Sequence, residues 1–272
     1  MVFNPFDSGF AFFWDLIAFV ISLVILLALV QVNALMQKKN IVSEIITRKV
    51  IHIFAGPIYI VSWMLFTGEA TSRYLAVIVP FLFLLQFVAI GTGKMKNENF
   101  VNSMSRSGDP RELLGGTLYY AVMMILTTFF WFYVPSTGIG NANPTALILI
   151  GCISGGDGLA DIIGRKFGKN SKKFGIKGSE KTVIGSIGML VGSILTSSIL
   201  VLIFSLEVTF FSANFNITTL ILPIIVISIV ATVVEALSPK GTDNLTIFLA
   251  IVFLILILEF GFPEFWPFPF AF

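Results

Sequence analysis

The chain is poor in the residues that most chemistry and most soluble folds rely on. Its 272 residues include one cysteine, Cys152, and one histidine, His52. A single thiol excludes an intramolecular disulfide framework. One histidine with one cysteine excludes a zinc site built from those ligands. Charge is equally scarce, at 12% of residues against about 25% in an average soluble domain. The hydrophobic fraction is 56% and the mean hydropathy +0.95. Neither a soluble enzyme nor a disordered chain fits these values, and the net charge of +2 says little until the charges are placed.

What charge there is falls between long uncharged runs. Residues 16–37, 50–68, 74–93, 113–156, 182–206, 208–234 and 244–258 contain no Asp, Glu, Lys or Arg. Runs of about 18 or more apolar residues predict membrane-spanning helices. The 113–156 run is too long for one span and divides at a Pro/Gly/Asn cluster at 135–144. The polar stretch 212–219 leaves a further span from about Leu220. The expected fold is an all-α, polytopic integral membrane protein of about eight helices, near 10–36, 50–67, 74–92, 114–134, 144–166, 183–206, 219–236 and 245–260. It is read as a single transmembrane domain over 1–272.

The basic residues orient these spans. Sixteen of the 17 lie at odd-numbered connections: Lys38, Lys39, Arg48, Lys49, Lys94, Lys96, Arg106, Arg111, Arg165, Lys166, Lys169, Lys172, Lys173, Lys177, Lys181 and Lys240. Only Arg73 lies on the other side. By the positive-inside rule, both termini are outside and the odd loops are cytoplasmic. A prokaryotic plasma membrane is the expected location. The aromatic tail, 262–272, suits the outer interface.

The richest stretch is Gly155-Gly156-Asp157-Gly158-Leu159-Ala160-Asp161, followed by Gly164, Arg165 and Gly168. With the fifth span starting near Thr145, Asp157 lies about 18 Å into a core about 30 Å thick, recessed toward the cytoplasmic half. Asp161 follows at i+4 on the same helical face. A carboxylate at such depth costs about 2.5–3.5 kcal/mol on insertion scales and marks a functional candidate. Two such groups can hold Mg²⁺, or another divalent cation, carrying phosphates. The plainer alternative for Asp161 is an i+4 ion pair with Arg165.

The next loop runs from Lys169 to Lys181-Thr182 and enters the sixth span at Gly185-Ser186. Lysines, amides and a helix N-terminus suit a polyphosphate. It is not a Walker A loop, because Glu180 precedes Lys181-Thr182 where that motif needs glycine. Lys169, Lys172 and Lys173 are read as topology signals that bind anionic lipid, and Lys181 as functional. Three more clusters share the same side: Arg48-Lys49 with His52, Arg111-Glu112, and Glu235 through Asp243-Asn244. Their convergence on one membrane face argues for a site using a charged soluble substrate. It weighs against a small-solute transporter, whose site belongs near the midplane.

These motifs resemble the polyprenol kinase family, which includes phytol, farnesol and dolichol kinases and the CTP-dependent diacylglycerol kinase. The match is carried by Gly156–Gly168, by Lys181-Thr182 with Gly185-Ser186, by Arg48-Lys49 with His52, and by Glu235 through Thr246. It covers about 48–250, leaving the helix and loop of 1–47 outside, and its wording is closest to the phytol kinases. Ile184 departs from the acidic residue that many members carry there, which disfavours dolichol kinase.

The resemblance implies transfer of the γ-phosphoryl group of CTP to a membrane isoprenoid alcohol, with Mg²⁺ or another divalent cation. Asp157, Asp161 and Lys181 are then catalytic, with Asp157 and Asp161 on the metal. Arg48, Lys49, Gly156, Gly158, Gly164, Arg165, Gly168, Thr182, Gly185 and Ser186 surround phosphate. His52, Arg111, Glu112, Glu235, Asp243 and Asn244 form a polar rim. The expected partners are a lipid alcohol, a nucleoside triphosphate and the bilayer, with no nucleic acid. Dolichol or diacylglycerol kinase and a phosphatidate cytidylyltransferase are the alternatives within lipid chemistry.

Overall fold

A computed structural model describes residues 8–105, 107–135, 142–176, 178–205, 217–239 and 241–270. Most of the loop expected at 135–144, most of the polar 212–219 stretch, and Arg106, Lys177 and Lys240 lie outside these residues. The chain is an all-α polytopic membrane protein, as its uncharged runs require. Among the described residues, seven helices are long and apolar enough to cross a bilayer. The second expected span is also helical, as α2 (Glu44–Ser62). Arg48, Lys49 and His52 enter its first half, so its uncharged part is short.

The helices fall into two compact units, Asn4–Phe129 and Phe130–Phe272. The first holds α1 (Ala11–Lys38), α2, α3 (Ser72–Gly91), the short α4 (Glu98–Met104) and most of α5 (Gly116–Trp131). α1 shows why such a segment is a membrane helix. It buries Ala11, Asp15, Ala18, Ser22, Leu26, Val30 and Asn33 at spacings of three or four, the repeat of one helical face. Phe12, Phe13, Val20 and Val24 are exposed, as a lipid-facing surface requires. Tyr59 joins three helices of this unit: its hydroxyl donates to the Ala76 carbonyl at 2.8 Å and bonds Thr128 Oγ1 at 3.0 Å.

One buried charge in this unit was not foreseen from the sequence. Asp15 is fully buried in α1, yet its carboxylate accepts from Thr67 N at 2.7 Å, Thr67 Oγ1 at 3.0 Å and Ser72 Oγ at 2.6 Å. It thereby ties the α2–α3 connection to α1. Asp15→Ala would leave Thr67 N and one of the two hydroxyls, which bond each other at 3.2 Å, without an acceptor, at about 1–3 kcal/mol for each buried donor left unsatisfied. We expect a lower melting temperature for the purified variant in detergent. An unchanged melting curve would show that these bonds do not hold the connection.

The second unit is built round one continuous helical run: α6 (Thr145–Ile150), a π-helical segment (Gly151–Gly156) and α7 (Asp157–Phe167). Every residue from Thr145 to Gly156 is buried. Against it pack α8 (Val183–Ser205), α9 (Ile217–Ala236) and α10 (Asp243–Gly261). Glycine lets α8 approach the π segment. A Cβ at Gly192 would lie 2.4 Å from the Gly155 carbonyl oxygen, and one at Gly151 would lie 2.6 Å from Ser197 N.

Between α7 and α8 the chain forms a small antiparallel hairpin, β1 (Lys173–Phe174) with β2 (Lys181–Thr182), in which Phe174 opposes Lys181. Gly175 has φ +105°, and a Cβ there would lie 2.5 Å from the Ala236 carbonyl oxygen. The hairpin therefore rests directly on the end of α9. The aromatic tail is anchored within the unit: Trp266 is fully buried, Trp131 Nε1 donates to the Phe270 carbonyl, and Asn143 Nδ2 donates to that of Pro269.

Candidate active site

The second unit brings four charged side chains from separate elements together. Lys181, on β2, pairs through Nζ with Glu235 Oε1 and reaches Asp243 Oδ2 at 3.4 Å. Glu235 ends α9, Asp243 opens α10 and Asp157 opens α7. One carboxylate oxygen from each of Asp157, Glu235 and Asp243 lies within 4.8 Å of the other two. Asp243 sits in the first turn of α10, where the positive end of the helix dipole favours a carboxylate, whereas Asp157 lies within the continuous helical run.

Local bonds hold this arrangement. Ser179 Oγ donates to the Ser238 carbonyl at 2.9 Å, fastening the hairpin to the α9–α10 turn. Within that turn Ser238 Oγ bonds Thr246 Oγ1 and donates to the Val234 carbonyl at 2.6 Å. Gly241, at φ +83°, lets the chain reverse. Thr182 Oγ1 accepts from Gly185 N at 3.1 Å, closing the first turn of α8 directly after Lys181.

Burial of Lys181 works to lower its pKa, but Glu235, Asp243 and Asp157 outweigh it and leave the ammonium above its ordinary range. Lys181 is thus fully protonated at neutral pH. Its favourable charge contribution is complete below the ordinary lysine pKa of about 10.4 and is lost only as pH rises through the higher folded value.

Glu235 is 2% exposed, and its Oε2 has no hydrogen-bond partner in the protein. A buried carboxylate oxygen left in this state is costly, and it adjoins two other carboxylates. That donor set suits a hard divalent cation, which takes oxygen ligands from side chains and bound phosphates.

Asp161, expected beside Asp157 on a metal, lies outside this group of three. Its Oδ1 accepts from Arg165 Nε at 2.9 Å, the i+4 pairing weighed as its plainer alternative. Several glycines meet protein instead of open space. A Cβ on Gly156 would strike Ser193 Oγ at 2.2 Å, while Gly164, Gly168 and Gly185 all face Thr182 Oγ1 within 3.3 Å. Gly158 is buried in α7. Ser186 Oγ and Asn244 Oδ1 are buried without a hydrogen-bond partner.

Arg48, Lys49, His52, Arg111 and Glu112 belong to the first unit. There the His52 ring stacks 5.1 Å from that of Tyr120, and Ser107 Oγ donates to Glu112 Oε1 at 2.7 Å. Sequence reasoning assigned Glu235 and Asp243 to the rim and missed their union with Asp157. The available signal was an acid closing an otherwise uncharged 27-residue run.

Comparison with known proteins agrees with the motifs. The chain is 31% identical over 228 residues to phytol kinase 1, chloroplastic, of Arabidopsis thaliana, covering 83% of this chain and 70% of that protein. The chain belongs to the polyprenol kinase family. Within this family it is also 37% identical over 166 residues to probable phytol kinase 2, chloroplastic, of Oryza sativa subsp. japonica, covering 61% of this chain and 51% of that protein. Farnesol kinase, chloroplastic, of Arabidopsis thaliana is 32% identical over 216 residues, with 77% and 64% covered. With several of these curated kinases the alignment spans about half of their length. No family model and no solved structure matches the chain. These members of the polyprenol kinase family are named as chloroplastic, which lends no support to the prokaryotic plasma membrane expected from sequence.

Proposed function

We propose that the chain is a polyprenol kinase that transfers the γ-phosphoryl group of CTP to the hydroxyl of a membrane isoprenoid alcohol such as phytol or geranylgeraniol. The observation that carries this reading is the group of Asp157, Glu235 and Asp243 around Lys181, in a chain whose relatives are named phytol and farnesol kinases. Phosphoryl transfer asks a protein mainly for positioning and charge neutralisation, and this set supplies both.

Asp157, Glu235 and Asp243 would hold Mg²⁺, which when bound would neutralise charge on the β- and γ-phosphates. This replaces Asp161 as a metal ligand and assigns it with Arg165 to the rim. Lys181 binds phosphate oxygens, with Ser186 and the first turn of α8 beside it. The acceptor's hydrocarbon tail stays among the lipid-facing helices. Its hydroxyl oxygen attacks the γ-phosphorus, the bond to the β,γ-bridging oxygen breaks, CDP leaves, and a carboxylate of the cluster takes the hydroxyl proton. The concentration of basic residues in the odd-numbered connections supports a site facing the cytoplasm or the equivalent compartment.

The test is incubation of the purified protein with γ-labelled CTP or ATP and a panel of phytol, geranylgeraniol, farnesol, dolichol and diacylglycerol. The expected result is label in a prenyl monophosphate, with CTP the better donor. Formation of CDP-lipid from phosphatidate, or solute uptake into vesicles without phosphotransfer, would overturn the reading.

A further inference from the structure

Lys181 and a divalent cation need the same carboxylates. The ammonium already contacts Glu235 Oε1 and Asp243 Oδ2, which belong to two of the three residues able to hold the ion. An ion bound to those carboxylates would face a like charge at close range. The lysine has somewhere to go. Its side chain is about one-quarter exposed, and its flexible four-carbon stem moves the charge several ångströms without moving the backbone. The backbone on either side is fixed, by pairing with Phe174 and by the Thr182 bond to Gly185 N.

We infer that Lys181 is the resident counter-ion of the carboxylate group and exchanges with the divalent cation, and that the polyphosphate drives this exchange by taking the ammonium as its own partner. The inference rests on the kinase reading for the identity of the polyanion, but on this site's geometry for the competition. Without a polyphosphate, the lysine neutralises Glu235 and Asp243 and keeps metal affinity low. With one, the ammonium moves to phosphate and vacates both carboxylates. Metal and nucleotide therefore bind with positive coupling, which must be reciprocal. The buried Glu235 Oε2, without a protein partner, is the oxygen that the lysine leaves unserved and that the metal would reach.

The experiment measures Mn²⁺ binding by electron paramagnetic resonance on the full chain in phosphatidylcholine nanodiscs, without nucleotide. Lys181→Met is expected to bind Mn²⁺ at least about fivefold tighter than wild type, the lower end of typical coupling between sites. Lys181→Arg, which keeps the charge, is expected to show no such gain, and Glu235→Gln to weaken binding. Adding β,γ-methylene-CTP should tighten binding more in wild type than in Lys181→Met. Equal or weaker nucleotide-free binding in Lys181→Met overturns the exchange, even if phosphotransfer to a prenol is observed. Tighter binding in Lys181→Met, with no phosphotransfer to any lipid alcohol by the wild type, would retain the exchange and overturn the kinase reading. Should Lys181→Met unfold when metal-free, the exchange requires that Mn²⁺ restore its thermal transition; failure to do so overturns it.

Discussion

Asp157→Asn and Glu235→Gln are each expected to lower kcat for prenol phosphorylation by about 10²–10³-fold, the usual cost of removing one preorganised charge-stabilising group. The two residues approach from α7 and α9, and only in the fold do their oxygens come within 4.8 Å of each other and of Asp243. Each substitution keeps the side-chain volume and removes the negative charge. The helices should therefore remain in place, as circular dichroism and gel filtration would show.

Asp161→Asn provides the contrast. Its partner Arg165 has a half-exposed side chain, and such pairs contribute about 0.2–1 kcal/mol. Its rate should fall by no more than about fivefold. Equal losses at Asp157 and Asp161 would return the metal to the i, i+4 pair and remove Glu235 from the site. Near-normal activity in a well-folded Asp157→Asn would remove the site altogether.

The spans were legible because a bilayer tolerates few charges, so the uncharged runs and the helices nearly coincide. α2 is the partial exception, since Arg48 and Lys49 lie inside the helix and not before it. The form of the run through Gly151–Gly156 was not readable: a π turn depends on α8 pressing against Gly151 and Gly155. The hairpin carrying Lys181 was invisible because strands of two residues have no periodicity.

The same limit applied to the site. Asp157 and Lys181 stood out locally, one by its depth and the other by its loop. Glu235 and Asp243 lie 54 and 62 residues from Lys181, and no spacing rule joins residues brought together by three helix ends. Asp161 shows how one spacing can serve two readings: i+4 put it beside Asp157, and i+4 also put it beside Arg165, with which it pairs.

Gly192→Ala is expected to destabilise the second unit by about 1–3 kcal/mol or more, the cost of adding a methyl group to filled space. Its Cβ would meet the Gly155 carbonyl oxygen at 2.4 Å, which is backbone and cannot rotate away. Gly151→Ala meets the backbone N and Cα of Ser197 at 2.6 and 2.7 Å and should act similarly. Relief requires α8 to retreat from the π segment. Lys181 enters α8 and Asp157 follows the π segment, so retreat separates the two halves of the site. Lost stability should then be accompanied by weaker Mn²⁺ binding. Gly261→Ala, with nothing within 4 Å of its added Cβ, should change stability by less than about 0.5 kcal/mol. Thermal melts of the three variants in one detergent make the comparison. If Gly192→Ala melted with Gly261→Ala, close helix approach would not be what these glycines provide.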